Sequence, residues 1–171
     1  AKGVKDEQAY GTERDVGEVG YEWLMHSTAP LDPPTDPTRV RVGGPDCTQP
    51  YDMALLNVSA MSFGALSGAA LTALNRGAAA SGFAHDTGEG GLTRYHLQGG
   101  DVVWELGSGY FGARTKDGGF DRGEFRDKAA HERVRCVSLK LSQGAKPGIG
   151  GQLPGPKVTK EIAEARDVPQ G

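Results

Sequence analysis

The chain has 171 residues, with 19 Lys and Arg against 22 Asp and Glu, which gives a formal net charge of −3. This length corresponds to one domain, and the slight negative charge argues against a nucleic-acid scaffold or a polybasic membrane binder. The sequence contains no apolar run long enough to span a bilayer, and its polar start does not resemble a signal peptide. Its two cysteines, Cys47 and Cys136, lie far apart, which favours a reducing, cytoplasmic setting and indicates no paired metal ligands.

The first third of the chain differs in composition from the rest. Residues 1–53 are poor in aliphatic side chains and rich in Pro and Asp, which predicts an extended, irregular lead-in arm. Within it, the alternating residues 39–42 predict a short edge strand. We expect Tyr21, Trp23 and Leu24 to dock as a small apolar group on the remainder of the protein.

From residue 54 onwards, strand and helix patterns alternate. Strands are predicted at 54–58, 82–85 and 137–141, with a further strand or hairpin at 102–106, and helices at 70–82, 124–135 and 159–166. This order predicts an α/β fold with parallel strands and right-handed crossovers, in residues 54–171. In such folds the functional loops follow the carboxyl ends of the strands.

Three of these loops have unusual sequences. Residues 59–67, SAMSFGALS, have small side chains at almost every position, which fits either the close approach of a flat ligand to the backbone or a tight strand-to-helix turn. Residues 85–91, HDTGEGG, place Glu89 among glycines, where a carboxylate can move a proton or bind an amino group. A metal set of His85, Asp86 and Glu89 is a weaker alternative, because no second cluster completes it.

The loop at residues 142–155, SQGAKPGIGGQLPG, is the most informative. It interleaves Gln143, Lys146 and Gln152 with five glycines and two prolines, whereas a plain linker carries little besides Ser and Gly. One cation with two amides suits a small molecule that bears a carboxylate. The loop matches neither a Walker motif nor a dinucleotide-binding fingerprint. From spacing alone, Arg166 on the following helix would be a solvated side chain.

With these loops, the chain resembles the FMN-binding synthase domain of glutamate synthase, in particular the single-subunit branch. The resemblance extends over about residues 8–171. It depends on six ordered motifs: SAMSFGALS (59–67), TGEGG (87–91), GYFGAR (109–114), SQGAKPG (142–148), GGQLPG (150–155) and KVTKEIAEAR (157–166).

The resemblance implies a (β/α)8 TIM-type barrel with FMN at its C-terminal mouth. Such a barrel needs about 250 residues, so this chain would hold only its first half, preceded by the arm. The implied reaction is the reduction of 2-iminoglutarate, formed from 2-oxoglutarate and ammonia, to L-glutamate. The isolated chain is expected to be inactive.

Specific residues follow from the same resemblance. Ala60, Met61 and Ser62 would lie against the flavin ring, and Lys140 would stabilise the anionic reduced flavin near its N1/O2 edge. Glu89 and Lys146 would be the catalytic residues, with Glu89 at the nitrogen. The carboxylates and the keto oxygen of the substrate would be held by Gln143, Lys146, Gln152 and Arg166. No metal-binding residues are predicted in this chain.

Two positions depart from the large glutamate synthases, which usually have Asn at position 86 and Glu at position 149. Asp86 would place an extra negative charge near a dianionic substrate, and Ile149 would be a feature of this branch. The family implies partners outside the chain: an amidotransferase as ammonia source, and iron–sulfur clusters or ferredoxin as electron source. Two alternatives stay open, namely a related enzyme of the N-methylglutamate synthase type and a non-catalytic or truncated binding module.

Overall fold

The computed structural model describes residues 15, 17–36, 38–141 and 153–171. In chain order its elements are β1 (Arg39–Val42), β2 (Tyr51–Ala54), α1 (Gly68–Ser81), β3 (Ala84–Asp86), β4 (Asp101–Leu106), α2 (Arg122–Ala129), β5 (Val134–Leu139) and α3 (Lys160–Arg166), with single 3-10 turns at Arg94–His96 and Gly155–Lys157. Among the described residues, no helix is both long and apolar enough to cross a membrane.

A parallel sheet in the order β3-β4-β5 forms the centre of the described fold. Val58 adds one parallel bridge to His85 on the free side of β3, so four consecutive chain segments lie side by side in sequence order. The predicted α/β fold with parallel strands is confirmed. The described part of the sheet is open, and the complete (β/α)8 barrel stays a prediction.

The segment predicted as a strand at 54–58 is built differently. Leu55 and Leu56 are 67% and 68% exposed, and only Val58 pairs with the sheet. The reason is Asn57, whose side-chain amide donates to the carbonyl of Ala54 at 2.7 Å and accepts from the amide of Ala84 at 2.9 Å. These bonds make a turn where the apolar run alone suggested continuous pairing.

A hairpin lies at the end of the lead-in region. The predicted edge strand is confirmed as β1, and it pairs with β2 in an antiparallel hairpin. The expected docking of Tyr21, Trp23 and Leu24 is wrong. Leu24 is 103% and Trp23 62% exposed, and the ring of Trp23 contacts that of its near neighbour Tyr21, at 4.8 Å between centroids.

Side-chain caps mark the first turns of α1 and α3. The hydroxyl of Ser67 accepts from the amide of Ala70 at 3.2 Å at the start of α1, and Gly82 ends that helix in the left-handed conformation with φ of 67°. Thr159 caps α3 by accepting from the amide of Ile162 at 3.3 Å. The caps fix where each helix begins.

Two apolar clusters stabilise the fold. The Phe63 cluster joins Phe63 to Leu71 of α1 and Ile162 of α3. The Trp104 cluster joins alternate residues of β4 to Ala113 and the face of α2. Because α3 packs on the loop that follows Val58, the first cluster places residues 160–166 beside residues 59–67, although they lie about a hundred positions apart.

Candidate functional site

A cleft of about 230 Å³ opens at the carboxyl ends of the parallel strands. Its walls bring together the loop after Val58, the loop after β3, the end of β4 and the residue after β5. The lining residues are Ala60, Met61, Ser62, Ala65, Leu66, Gly88, Glu89, Glu105 and Lys140. All four predicted cofactor-binding residues, together with Glu89, therefore lie around one cavity.

The loop at 60–62 lies directly against the glycine-rich loop that follows β3. The amide of Met61 donates to the carbonyl of Asp86 at 3.2 Å. Gly88 has φ of 62°, and a Cβ atom there would lie 2.8 Å from the backbone nitrogen of Ser62. A side chain at position 88 would therefore push the two loops apart.

The buried His96 side chain hydrogen-bonds to the loop at residues 60–62. Its Nδ1 accepts from the amide of Thr93 at 3.3 Å and lies 2.9 Å from the hydroxyl of Thr93. The hydrogen is therefore on Nε2, which donates to the carbonyl of Met61 at 2.9 Å. Burial is the main cause that lowers the pKa of His96, so the ring stays a neutral donor.

A charged group forms the floor of the cleft. The Lys140 ammonium lies 3.5 Å from Oε1 of Glu105 and 3.8 Å from Oε1 of Glu89. The sequence pattern predicts Lys140 within the third strand, at 137–141. The structure ends β5 at Leu139, yet the amide of Lys140 still donates to the carbonyl of Leu106 at 3.0 Å, which aligns it with the end of β4.

Glu105 is a site residue that sequence analysis missed. It is 7% exposed, and its Oε1 is buried without a hydrogen-bond partner among the described residues. The sequence does contain a pattern that could have identified it. Alternate residues of β4 fill the core on one face of the strand, namely Val102, Trp104 and Leu106. That pattern turns residues 103 and 105 towards the other face.

Asp86 and His85 lie on opposite faces of β3. Asp86 lines a largely apolar groove, where burial, and secondarily the charge of Glu105, raises its pKa to about 6. His85 is fully buried behind the sheet against Asn75, and burial followed by the neighbouring His96 lowers its pKa to about 4. The alternative metal set with Glu89 therefore does not converge, and no other group of three such ligands occurs among the described residues.

Arg166 lies at the rim of the same region. Its Nη2 donates to the carbonyl of Phe63 at 2.9 Å, and its guanidinium stacks 5.2 Å from the centre of the Phe111 ring. Burial lowers the pKa of Arg166, while attraction to Glu89 opposes that shift. The side chain is therefore a half-buried cation, whose Nη2 lies 3.1 Å from where a Cβ atom of Gly90 would be, and not the solvated residue that spacing alone suggested.

The other three predicted substrate ligands, Gln143, Lys146 and Gln152, lie outside the described residues. The described residues end at Leu141 and resume at Leu153, which packs against the Phe63 cluster. Their predicted contacts stay predictions.

A family model and several known proteins are similar to this chain, and their descriptions agree with one another. The family model described as a conserved region in glutamate synthase matches residues 47–171, well over half of the chain. A glutamate synthase large subunit-like protein, YerD, of Bacillus subtilis is 43% identical over 76% of this chain and 25% of its own length. A glutamate synthase large subunit-like protein of Rhizobium meliloti is 33% identical over 100% of this chain and 37% of its own.

An archaeal NADPH glutamate synthase of Archaeoglobus fulgidus is 40% identical over 66% of this chain and 20% of its own length. The chain thus spans between a fifth and two fifths of these relatives. No solved structure matches it.

Proposed function

Because the chain belongs to the glutamate synthase family, we propose that it supplies the flavin-facing part of an FMN-dependent oxidoreductase that forms L-glutamate from 2-oxoglutarate. The observation that carries this proposal is the cleft itself. It gathers residues 60–62, Glu89, Glu105 and Lys140 from four separate chain segments at the carboxyl ends of parallel strands.

The residues of the cleft fit an isoalloxazine ring. Ala60, Ser62 and Gly88 leave backbone accessible to a flat ligand on one wall, and Gly88 approaches Ser62 so closely that no side chain fits between them. Lys140 adds a cation at the floor, which is the donor that a negatively charged flavin edge requires. These features support FMN as the cofactor.

When bound, reduced FMN supplies a hydride to the carbon of 2-iminoglutarate. The residues of this chain provide the setting for that transfer. Lys140 would offset the negative charge of the reduced flavin near its N1/O2 edge, and the small side chains of Ala60 and Ser62 would let the ring lie close to the backbone. Glu89, on its glycine-flanked loop, accepts a hydrogen bond from the reacting nitrogen or relays its proton.

For the substrate we propose Gln143, Lys146, Gln152 and Arg166 as ligands, with Lys146 also catalytic. 2-Oxoglutarate carries two negative charges, which Lys146 and Arg166 would balance. Hydrogen bonds to charged groups contribute roughly 1.5–3 kcal/mol each, enough to hold the reacting carbon over the flavin. The position of Arg166 supports this assignment, because its Nη2 lies beside Gly90, the residue that follows Glu89.

The rest of the reaction requires parts beyond these 171 residues. Ammonia would come from an amidotransferase domain or subunit, and electrons from an iron–sulfur cluster, ferredoxin or NADPH. We propose that the reaction takes place in the cytoplasm. A preference for methylamine in place of ammonia would make the enzyme an N-methylglutamate synthase type.

The test uses the full-length protein, meaning the whole polypeptide in which these 171 residues occur. We expect it to be yellow with one FMN per chain. After anaerobic reduction, addition of 2-oxoglutarate with ammonium should reoxidise the flavin and release L-glutamate in a single turnover. Repeating the experiment with methylamine distinguishes the two reaction types.

Glu89→Gln should slow this reoxidation strongly without loss of bound FMN. Glu164→Gln is the matched control, since Glu164 is an exposed glutamate on α3. A colourless protein that takes up no added FMN would support the binding-module alternative. A yellow protein whose reduced flavin is not reoxidised by 2-oxoglutarate with either ammonium or methylamine would refute the proposed reaction.

A further inference from the structure

The ring of Phe111 lies under the guanidinium of Arg166. The Cζ atom of Arg166 lies 5.2 Å from the centroid of the Phe111 ring, within the range of a cation–π contact. Phe111 belongs to the loop after β4, and Arg166 is the last residue of α3, so the contact joins two separate segments of the chain. Both residues lie in motifs of the family resemblance, GYFGAR (109–114) and KVTKEIAEAR (157–166), yet the proposed reaction gives Phe111 no role.

Contacts within its own loop hold the Phe111 ring in place. Nη1 of Arg114 donates to the carbonyl of Gly109 at 2.9 Å, and the Arg114 guanidinium lies 5.8 Å from the centroid of the same ring. A Cβ atom at Gly109 would lie 2.8 Å from the Phe111 ring, so the ring rests directly on the backbone there. The amide of Ala113 donates to the carbonyl of Tyr110 at 2.8 Å. Phe111 is therefore a fixed support for a side chain that lies on it.

Arg166 also contacts the backbone of two other loops. Its Nη2 donates to the carbonyl of Phe63 at 2.9 Å, and Cβ atoms at Gly64 and Gly90 would lie 3.3 Å and 3.1 Å from this nitrogen. Two positions without side chains thus leave the space that the guanidinium occupies. Its Nε is buried and has no hydrogen-bond partner among the described residues, so the guanidinium keeps donor capacity that this part of the chain does not use.

An aromatic ring and a carboxylate would hold Arg166 in different ways. A carboxylate would neutralise the cation and occupy its hydrogen-bond donors. The face of a ring attracts the guanidinium through its quadrupole and leaves the donors in the guanidinium plane for another acceptor. Arg166 then keeps its positive charge for an anionic ligand. Because the side chain is already fixed, less rotamer freedom is lost when that ligand binds.

We propose that Phe111 is a positioning residue for the substrate, because its ring holds the Arg166 guanidinium in the orientation that receives a carboxylate of 2-oxoglutarate. This inference rests on the proposed function, which takes Arg166 as a substrate ligand. Phe111 acts through Arg166. Its removal should therefore weaken the binding of 2-oxoglutarate and leave FMN binding and the hydride transfer unchanged.

Anaerobic reoxidation of the reduced flavin in the full-length protein tests this role. The readouts are the limiting rate and the 2-oxoglutarate concentration that gives half of it, at a saturating concentration of the amine that the wild type uses. Phe111→Leu should raise the half-saturating concentration roughly 2- to 30-fold, the range of a cation–π contact, with an unchanged limiting rate. Phe111→Tyr keeps the aromatic face and should behave like the wild type. If Phe111→Leu folds poorly, Phe111→Met takes its place, because methionine fills a similar volume without a ring.

A double-mutant cycle shows whether Phe111 acts through Arg166. In protein that carries Arg166→Gln, Phe111→Leu should raise the half-saturating concentration no further. Phe120→Leu is the matched control and should match the wild type, since Phe120 packs against the rings of Tyr110 and Phe125.

Two results would overturn the role of Phe111 while the proposed reaction still stands. One is an equal half-saturating concentration in the wild type, Phe111→Leu and Phe111→Met. The other is an equal increase from Phe111→Leu with and without Arg166→Gln, which would show that Phe111 acts independently of Arg166. A wild type whose reduced flavin is not reoxidised by 2-oxoglutarate with either amine would instead refute the proposed function.

Discussion

Replacing Gly88 by alanine tests whether the close contact between two loops shapes the cleft. Gly88 has φ of 62°, and its added Cβ would lie 2.8 Å from the nitrogen of Ser62 and 3.2 Å from the carbonyl carbon of Met61. The left-handed conformation costs about 1–2 kcal/mol for a residue with a Cβ. Relief of the backbone overlap adds about 1–3 kcal/mol. We therefore expect Gly88→Ala to lower the free energy of unfolding by about 2–5 kcal/mol.

The same chain offers a matched control. Gly77 lies inside α1, and nothing lies within 4 Å of an added Cβ there. Gly77→Ala should stabilise the protein by about 0.5–1 kcal/mol, since alanine is the better helix former. The same change from glycine to alanine is thus expected to destabilise the protein at position 88 and to stabilise it at position 77.

Urea denaturation followed by circular dichroism measures stability, and flavin fluorescence measures FMN affinity. Displacement of Met61 and Ser62 should also weaken FMN binding by about tenfold or more, equivalent to about 1.4 kcal/mol of lost contact. Gly77→Ala should leave affinity unchanged. Equal stability and equal affinity in the two variants would contradict the assignment of Gly88 to the wall of the cleft.

Other predictions concern the buried ionisable groups. The fold raises the pKa of Asp86 from 3.8 to about 6, so ionisation of Asp86 destabilises the protein as pH rises through this range. Asp86→Asn should therefore add on the order of 1–3 kcal/mol to the free energy of unfolding above pH about 6, and nothing below pH about 4. The fold lowers the pKa of His85 from 6.5 to about 4, so the free energy of unfolding should fall as pH drops through this range. The fall should be smaller in His85→Asn, and a difference in unfolding free energy between variant and wild type that does not change with pH would contradict this. His96→Phe leaves the carbonyl of Met61 without its donor and should cost about 1–3 kcal/mol by urea denaturation, with weaker FMN binding; unchanged affinity would show that His96 does not position the loop.

Much of the local structure could be predicted because it depends on nearby residues. The caps at Ser67 and Thr159 and the edge strand at 39–42 each follow from a few adjacent side chains. The turn at 54–57 could not be predicted from the apolar run. It forms because Asn57 bonds to the amide of Ala84, a partner 27 positions away.

In the candidate site, too, features that depend on nearby residues could be predicted, whereas features that depend on distant partners could not. Its loops were identified by composition, whereas Lys140 came only from the family resemblance. Glu105 was overlooked because an apolar strand with one acidic residue usually places that residue in solvent. The partner that allows its burial lies 35 positions later, after another strand. Arg166 could not be located from spacing, since its hydrogen bond to Phe63 spans 103 positions.

The reduction potential of bound FMN, measured in the full-length protein, tests the central assignment most directly. If Lys140 faces the flavin edge that becomes negative on reduction, Lys140→Gln should shift the two-electron potential to more negative values by roughly 30 mV or more, equivalent to about 1.4 kcal/mol. Lys160→Gln removes an equal charge from the exposed face of α3 and should leave the potential unchanged. Identical potentials for wild type and both variants would contradict a flavin in this cleft.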